Sequence, residues 1–385
     1  MYFASFRCTH CDREYSRDEV TYLCPTCSRE WEKGWPLPGV LETLYDYEAI
    51  GREWRKRPEI ELFAPVEKRY YPELPAGNTP FYHSPRLNGY FGNTDIWLKN
   101  DGLNPSGSLK DRASQLMVAE AVRRGEDTIV AASTGNAASA LAAMAAARGL
   151  RSVIFVPASA PPAKLMQIRI HGAELIEVDG DYDEAFALSL QYTKEKCGLN
   201  RNTAYHPFTI EGKKTAGLEI FCQNRFRVPD WIVVPVGDGV ILTGIHKGFR
   251  DLQRAGITGK LPHLLAVQAE SSAAISNYWE SGFYENALTP NTIADSISVK
   301  APSNAFWARK CLIESRGTAV RVNEAQILQG QEQLARLTGV FAEPAAAVTL
   351  PGLERAYKNG IIGKEEQVVL LITGHGLKGI GTAGG

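Results

Sequence analysis

Lys110 is the residue whose type and position carry the most chemical information in this chain. It lies in the segment Asn104–Arg112, where Asn-Pro and Ser-Gly predict a tight turn and Lys-Asp-Arg predicts the start of a helix. The positive end of a helix dipole lowers the pKa of an amine and so raises the fraction that is neutral and nucleophilic. Lys110 is therefore a candidate for a Schiff-base lysine, with Ser106 as a polar neighbour. A lysine at a helix start is more often merely solvated, so other segments must decide.

A second polar segment, Ser133-Thr134-Gly135-Asn136, follows the predicted strand Ile129–Ala132 and opens an alanine-rich helix. The first turn of a helix leaves free N–H donors, and hydroxyl and amide side chains there face an anion. One such residue would suffice as a helix cap. Three nearly in a row favour a carboxylate-binding site, for which Ser133 and Thr134 are candidates.

Two further loops follow predicted strands. Gly237-Asp238-Gly239-Val240-Ile241 comes after Trp231–Val236 and has the glycine turn of a phosphate-binding loop. Asp238 would repel a phosphate unless its carboxylate points outward or is paired. The last predicted strand, Val368–Ile372, ends in Thr373-Gly374-His375-Gly376-Leu377-Lys378.

Together, the four segments resemble the fold-type II enzymes that use pyridoxal phosphate (PLP), and within them the threonine synthases. The resemblance covers roughly residues 76–380 and includes Ala342–Ala345. It implies an α/β fold similar to the tryptophan synthase β subunit, with two open parallel-sheet domains, and a homodimer.

The resemblance also implies a role for each candidate residue. Lys110 would hold PLP and act as the catalytic base, and the substrate would be O-phosphohomoserine, converted with water to threonine and phosphate. The other expected PLP-binding residues are Asn136, Gly237, Asp238, Gly239, Val240, Ile241 and Thr373. The expected substrate-binding residues are Ser106, Ser133, Thr134 and Lys213.

The segment His206–Thr215 departs from the family pattern. Threonine synthases typically read Asn-Pro-x-Arg-x-x-Gly-Gln-Lys-Thr here, and the arginine is implicated in binding the substrate's phosphate. This chain has Thr209 in place of that arginine and Lys213 in place of the glutamine. The loss of a bidentate guanidinium is a large change. His206-Pro207-Phe208 is instead similar to the serine/threonine dehydratases. In the glycine loop, Asp238, Val240 and Ile241 also differ from the family, and a valine would not tolerate positive φ.

The N-terminus has cysteines at the spacing of a zinc ribbon. Cys8 and Cys11, then Cys24 and Cys27, form two C-x-x-C pairs separated by twelve residues. Four thiolates complete a tetrahedral site with no open position, which predicts a structural metal ion, with iron as the alternative to zinc. Two reduced cysteine pairs without metal remain the other interpretation.

Alternating apolar runs and helical stretches predict an α/β body. The domain boundaries expected are a zinc-ribbon-like module at 1–35, a wrapping segment at 36–75 and a catalytic body of two subdomains at 76–385. The predicted strands are Ile129–Ala132, Ser152–Val156, Leu175–Val178, Trp231–Val236, Leu264–Gln268 and Val368–Ile372. The predicted helices include Asn136–Arg148, Ala163–His171, Asp183–Lys196, Lys214–Arg225, Asn323–Thr338 and Ala345–Asn359.

Composition narrows the functional classes. A formal net charge of −1 argues against nucleic-acid binding. No apolar run approaches the ~18 residues that a membrane span needs. The N-terminus lacks a signal peptide's apolar core, which predicts a reducing, cytoplasmic location.

Three alternatives stay open at this stage. The same scaffold could serve a serine/threonine dehydratase or a β/γ-replacement enzyme acting on another activated amino acid. The cysteine module could dock a partner beside an inactive body. A nucleotide-binding protein would need the pattern G-x-G-x-x-G, and Leu242 stands where its last glycine belongs.

Overall fold

The computed structural model describes residues 1–92, 94–160 and 162–379, so residues 93, 161 and 380–385 of the predicted catalytic body lie outside it. The chain divides into two units, each built from two stretches of sequence. Unit 1 comprises residues 1–77 and 110–213, and unit 2 comprises residues 78–109 and 214–385. Across the described residues, no helix has both the length and the apolar character needed to cross a bilayer.

The secondary structure alternates as the sequence predicts. The strands are β1 Phe3–Cys8, β2 Glu14–Tyr15, β3 Leu41–Tyr45, β4 Phe81–His83, β5 Asp95–Asn100, β6 Thr128–Ala132, β7 Arg151–Pro157, β8 Glu174–Val178, β9 Leu199–Asn200, β10 Trp231–Pro235, β11 His263–Ala269, β12 Thr318–Val322 and β13 Gln367–Ile372. The helices are α1 Tyr47–Lys56, α2 Pro85–Tyr90, α3 Lys110–Arg124, α4 Asn136–Arg148, α5 Pro162–Ile170, α6 Tyr182–Lys196, α7 Phe208–Gln223, α8 Val240–Arg254, α9 Ala274–Ser281, α10 Ala305–Glu314, α11 Glu324–Thr338, α12 Pro344–Ala347 and α13 Thr349–Lys358.

Unit 2 contains a six-stranded sheet in the order β12-β11-β10-β13-β5-β4. Its strands are parallel except for the edge strand β4, which pairs with β5 in the antiparallel sense. The central strand β10 is buried along its whole length, as expected for a parallel sheet covered by helices on both faces.

Unit 1 contains a four-stranded parallel sheet in the order β8-β7-β6-β9 and a three-stranded antiparallel sheet in the order β2-β1-β3. Cys8 is the last residue of β1, and the small sheet extends past the predicted module boundary at residue 35, because β3 pairs with β1. The two parallel sheets confirm the predicted fold class.

Every predicted strand is present within one residue at each end, while some helix boundaries differ. Helix α7 begins at Phe208 rather than at the predicted Lys214. Pro207 explains this start, because proline favours the first turn of a helix and Ile210 N already donates to Pro207 O at 3.0 Å. The predicted helix Ala345–Asn359 is two helices, α12 and α13.

Candidate active site

The turn before Lys110 is tied to the end of β13 within unit 2. Leu109 N donates to Thr373 O at 2.9 Å, and His375 N donates to Gly107 O at 2.9 Å. The backbone of Ser108 forms a bridge with Gly374. Lys110 follows Leu109 and is the first residue of α3, as predicted. The sequence segments that carry Ser106 and Thr373 therefore lie side by side at the carboxyl end of β13.

This turn presents uncommitted hydroxyl groups. Ser108 is fully buried and its Oγ has no hydrogen-bond partner within the described part of the chain. The Thr373 hydroxyl likewise bonds to none of the described residues. Lys378 Nζ donates to Ser106 O at 2.6 Å, so this lysine holds the turn rather than lying free in a loop. Leaving a buried polar group without a hydrogen-bond partner costs free energy, so such groups are rare in folded proteins. Where they occur, they are typical of sites that bind a ligand.

The glycine turn between β10 and α8 has the geometry of an anion site. Gly239 is in the left-handed region with φ +82°, and α8 has no side-chain cap. Among the described residues, the backbone N–H groups of Gly239, Val240 and Ile241 have no acceptor. Val240 and Ile241 are the first residues of α8, where φ is negative. The valine therefore does not need the positive φ that it would not tolerate. Three free donors at a helix N-terminus suit a phosphate.

Asp238 is held by hydrogen bonds beside this turn. Its Oδ1 accepts hydrogen bonds from Ser303 N at 3.1 Å and Ser303 Oγ at 3.0 Å. Its carbonyl accepts from Asn304 N at 3.1 Å. These neutral donors fix the orientation of the carboxylate beside the turn, although they leave its negative charge in place. Ser303 lies far along the chain, and nothing in the sequence pointed to it.

In unit 1, the segment Ser133–Asn136 leaves the carboxyl end of β6, as predicted. Asn136 is the first residue of α4 and its cap residue Gly135 supplies no side chain. Ser133 Oγ accepts from Gly135 N at 3.2 Å, so this hydroxyl shapes the turn, while Thr134 is half-buried beside it. Asn202 Oδ1 accepts from Ala132 N at 2.7 Å and fixes the strand end.

The family model described as "Pyridoxal-phosphate dependent enzyme" matches residues 73–374. The chain belongs to this family. The match includes Lys110, Ser133–Asn136, Gly237–Ile241 and Thr373, and it confirms the resemblance that the sequence motifs indicated.

Curated relatives in the pyridoxal-phosphate dependent enzyme family cover nearly the whole chain. Threonine synthase of Methanosarcina acetivorans is 38% identical over 385 residues, which is 97% of this chain and 91% of the relative. Threonine synthase of Methanocaldococcus jannaschii is 35% identical over 390 residues, 97% of this chain and 92% of the relative.

Solved structures agree on the fold. Maize serine racemase matches with a TM-score of 0.68 at 20% identity, covering 86% of this chain and 93% of that chain. The processed form of threonine deaminase isoform 2 from Solanum lycopersicum matches with a TM-score of 0.67 at 21% identity, covering 78% and 84%. At such identities the likeness concerns the fold alone.

The residues present fit PLP. The cofactor carries a phosphate, a pyridine nitrogen and an aldehyde, and the chain has groups of the right chemistry for each. Unit 2 offers the free N–H groups of the Gly239 turn and the uncommitted hydroxyl of Thr373. Unit 1 offers Lys110 and Asn136, each at the first position of a helix.

The segment that departs from the family pattern is buried and internally bonded. Thr209, where the family has arginine, is fully buried; its Oγ1 donates to His206 O at 2.8 Å and accepts from Ala204 N at 3.1 Å. Its hydroxyl is therefore occupied within the turn. Lys213 is also buried, on α7. The substrate-binding role of Lys213 stays a prediction.

A buried ion cluster connects α7 to α8 in unit 2. Asp251 accepts from Lys214 Nζ at 2.9 Å and from Lys247 Nζ at 2.6 Å, and all three side chains are at most 1% exposed. The helices also touch closely, since a Cβ at Gly248 would lie 2.8 Å from Lys214 O. Because α8 begins at the glycine turn, this cluster fixes the helix that presents the phosphate donors. No local sequence pattern predicts this cluster.

Replacing Gly239 with alanine is expected to weaken PLP binding. A Cβ there would lie 2.7 Å from Ala308 Cβ, and φ +82° is unfavourable for alanine, at about 1–3 kcal/mol. Equilibrium dialysis should show a clear rise in the PLP dissociation constant. Gly256→Ala is the matched control, because Gly256 has φ +66° but open space around its Cβ. Equal PLP affinity in both variants would contradict the assignment of this turn.

His206 makes the fold sensitive to acid. Burial lowers its pKa to about 3, and its Nδ1 accepts from Phe208 N at 3.1 Å. Between pH ~6.5 and ~3 the unfolded chain binds a proton here that the folded chain does not. The free energy of unfolding therefore decreases as the pH is lowered, by up to ~1.4 kcal/mol per pH unit. Urea unfolding at about pH 7.5 and about pH 5 should show a smaller loss in His206→Asn, which keeps an acceptor. The same loss in both proteins would refute this role.

The four cysteines predicted to bind metal are brought together. The Sγ atoms of Cys8, Cys11, Cys24 and Cys27 all lie within 4.8 Å of one another. Cys8 N donates to Arg13 O at 2.9 Å and Ser28 N donates to Cys24 O at 3.0 Å, which closes a tight turn at each pair. Four sulfur ligands at these separations fit a tetrahedral ion such as Zn²⁺.

Proposed function

We propose that this chain is a threonine synthase that converts O-phosphohomoserine and water to threonine and phosphate. The observation that carries the proposal is the 38% and 35% identity to threonine synthases over 97% of the chain. The lysine turn, the serine/threonine segment, the glycine turn and the Thr373 end support the same PLP chemistry.

When bound, PLP supplies an electron sink for the carbanions formed at the substrate's Cα and Cβ. Lys110 Nζ holds the cofactor and, once released, moves the protons at those two carbons. The backbone donors of Gly237–Ile241 bind the cofactor phosphate, Asn136 its ring hydroxyl, and the Thr373 hydroxyl its pyridine nitrogen. A hydroxyl at that nitrogen, unlike an aspartate, does not enforce its protonation.

The remaining residues orient the substrate. Ser106, Ser133 and Thr134 hold the carboxylate end. Lys213 provides a positive charge for the leaving phosphate at Cγ, in place of the arginine that Thr209 replaces. The roles of Ser133 and Thr134 follow the family pattern, whereas that of Lys213 replaces a family residue that this chain lacks.

A second function is favoured by the bonding of Thr209. Its hydroxyl is used inside the turn, and the family's phosphate-binding guanidinium is absent, so the same PLP body could act on a different amino acid. This candidate is a serine/threonine dehydratase or a β/γ-replacement enzyme. Assays with serine, threonine and O-phosphohomoserine separate the two: phosphate release supports the synthase, and ammonia with a 2-oxo acid supports the dehydratase.

We further propose that the four cysteines bind one structural Zn²⁺ and that the protein is a cytoplasmic homodimer. The sulfur cluster supports the metal, and the family resemblance supports the dimer. Elemental analysis should find one metal ion per chain, lost in Cys11→Ser. Light scattering after size-exclusion chromatography measures the oligomeric state.

A further inference from the structure

The N-terminal module, defined here as residues 1–45, is built into the core of unit 1. Phe6, Val20 and Leu41 are buried and belong to the same apolar cluster as Leu116 and Met117 of α3. The apolar face of the module is thus covered by its own chain. The sequence left open that the module docks a partner protein. This packing argues against that role for the apolar face.

Arg17 connects the module to the helix that begins with Lys110. Its Nη2 donates to Glu120 Oε2 on α3 at 2.7 Å, and its Nη1 donates to Pro65 O at 2.8 Å. The guanidinium also lies between two aromatic rings, 5.0 Å from the centroid of Phe3 and 5.1 Å from that of Phe208. A guanidinium with two hydrogen bonds and two cation–π contacts is held in one orientation.

The ion pair is shielded from water. The Arg17 side chain is 12% exposed and that of Glu120 only 2%. Burial alone would raise the pKa of Glu120, but Arg123 and Arg17 together hold it below its ordinary value. Glu120 therefore stays charged, and α3 is held by a pair that salt screens little.

Tyr45 connects the module to α7. Its hydroxyl donates to Glu211 Oε2 at 2.5 Å in a buried setting. Glu211 precedes Gly212, where a Cβ would lie only 2.4 Å from Arg112 O on α3. The module thus bonds two helices that themselves touch without room for a side chain.

Tyr22 adds a contact at the turn before α7. Its ring stacks on Tyr205 with centroids 4.4 Å apart, and its hydroxyl accepts from Asn200 N at 3.0 Å. Tyr22 and Arg17 both lie in the twelve-residue span between Cys11 and Cys24. Closing that span with a metal ion would restrict the two side chains together.

We infer that the N-terminal cysteine module is a positioning element of the active site, in which Arg17 sets the position of the Lys110 helix and Tyr45 sets that of α7. The inference rests on the proposed PLP chemistry but not on the identity of the substrate. Cofactor binding therefore tests it even if O-phosphohomoserine proves not to be the substrate.

The test uses the full-length, metal-loaded protein and the variants Arg17→Met, Arg17→Lys and Tyr45→Phe. Arg13→Met is the matched control, because Arg13 lies in the same span but is exposed, and among the described residues its side chain bonds only Thr26 Oγ1. For each protein we would measure metal content, PLP dissociation constant, KM, kcat and Tm. A second arm strips the metal from wild type and from Arg17→Met.

With metal content unchanged, Arg17→Met should raise the PLP dissociation constant about fivefold or more, and Arg17→Lys should recover part of this. Tyr45→Phe should raise KM for the amino-acid substrate by a similar factor, with PLP affinity retained, because α7 carries Lys213, a predicted substrate-binding residue. Stripping the metal should weaken PLP binding in wild type and add little in Arg17→Met.

Two results would overturn the inference. One is a lower Tm in Arg17→Met and Tyr45→Phe with PLP dissociation constant and KM both within about twofold of wild type, which is the behaviour of purely structural contacts. The other is an equal effect of Arg13→Met. Altered PLP affinity with no turnover of O-phosphohomoserine by wild type would support the inference while refuting the proposed substrate.

Discussion

Lys110→Ala should lower kcat by at least ~10³-fold while leaving the fold intact. The residue is the first of α3 and is half-buried, so its truncation removes an amine without emptying a fully buried position. The loss is large because the same amine holds the cofactor and moves the protons at Cα and Cβ. Removing one residue with both roles disables every later step.

The experiment needs two controls. Lys358→Ala removes an exposed lysine at the end of α13 and should leave turnover unchanged. Borohydride reduction of wild-type protein, followed by peptide mass analysis, should place the cofactor on the peptide that contains Lys110. Partial recovery of Lys110→Ala by a small added amine is also expected. Wild-type turnover in Lys110→Ala would show that another group does the chemistry.

Asp251→Ala should cost about 3–5 kcal/mol in the free energy of unfolding. The substitution removes the carboxylate that both Lys214 Nζ and Lys247 Nζ contact, in a place where neither ammonium can reach water. Because natural proteins are stable by only ~5–15 kcal/mol, this is a large share. The same change should weaken PLP binding, since α8 begins at the Gly239 turn.

Glu332→Gln is the matched control for that prediction. Arg336 and Glu332 on α11 form an i,i+4 pair at 2.5 Å like Lys247 and Asp251, but their side chains are 76% and 58% exposed. The loss of this exposed ion pair should change the free energy of unfolding by less than ~0.5 kcal/mol. Urea unfolding of both variants at one pH gives the comparison. If Asp251→Ala were no more destabilising than Glu332→Gln, the cluster would not hold α7 to α8.

Strands buried on both sides were predictable, and strands with charged or short sequences were not. Runs such as Trp231–Val236 are apolar throughout, which is the pattern of a central parallel strand. Strand β5 was missed because it contains Asp95, Lys99 and Asn100. Lys99 is nevertheless fully buried, because Glu219 Oε2 accepts from its Nζ at 2.5 Å. A partner 120 positions away leaves no local signal.

The candidate site shows the same division. Lys110 and Asn136 were placed at helix starts, and Gly237–Ile241 in a glycine turn after a strand, from local turn chemistry alone, and the structure agrees. What fixes those helices was invisible: Ser303 pairs Asp238, and Arg17 bonds Glu120, each across a long stretch of chain. Such contacts depend on the tertiary fold, whereas a glycine turn after a strand can be recognised from consecutive residues.

The most direct test of the proposed function is to measure phosphate and threonine in the same reaction with O-phosphohomoserine and PLP-loaded protein. We expect phosphate and threonine in equal amounts at every time point, and we expect Lys213→Met to raise KM. Phosphate without threonine, or no phosphate release while serine or threonine yields a 2-oxo acid, would contradict it.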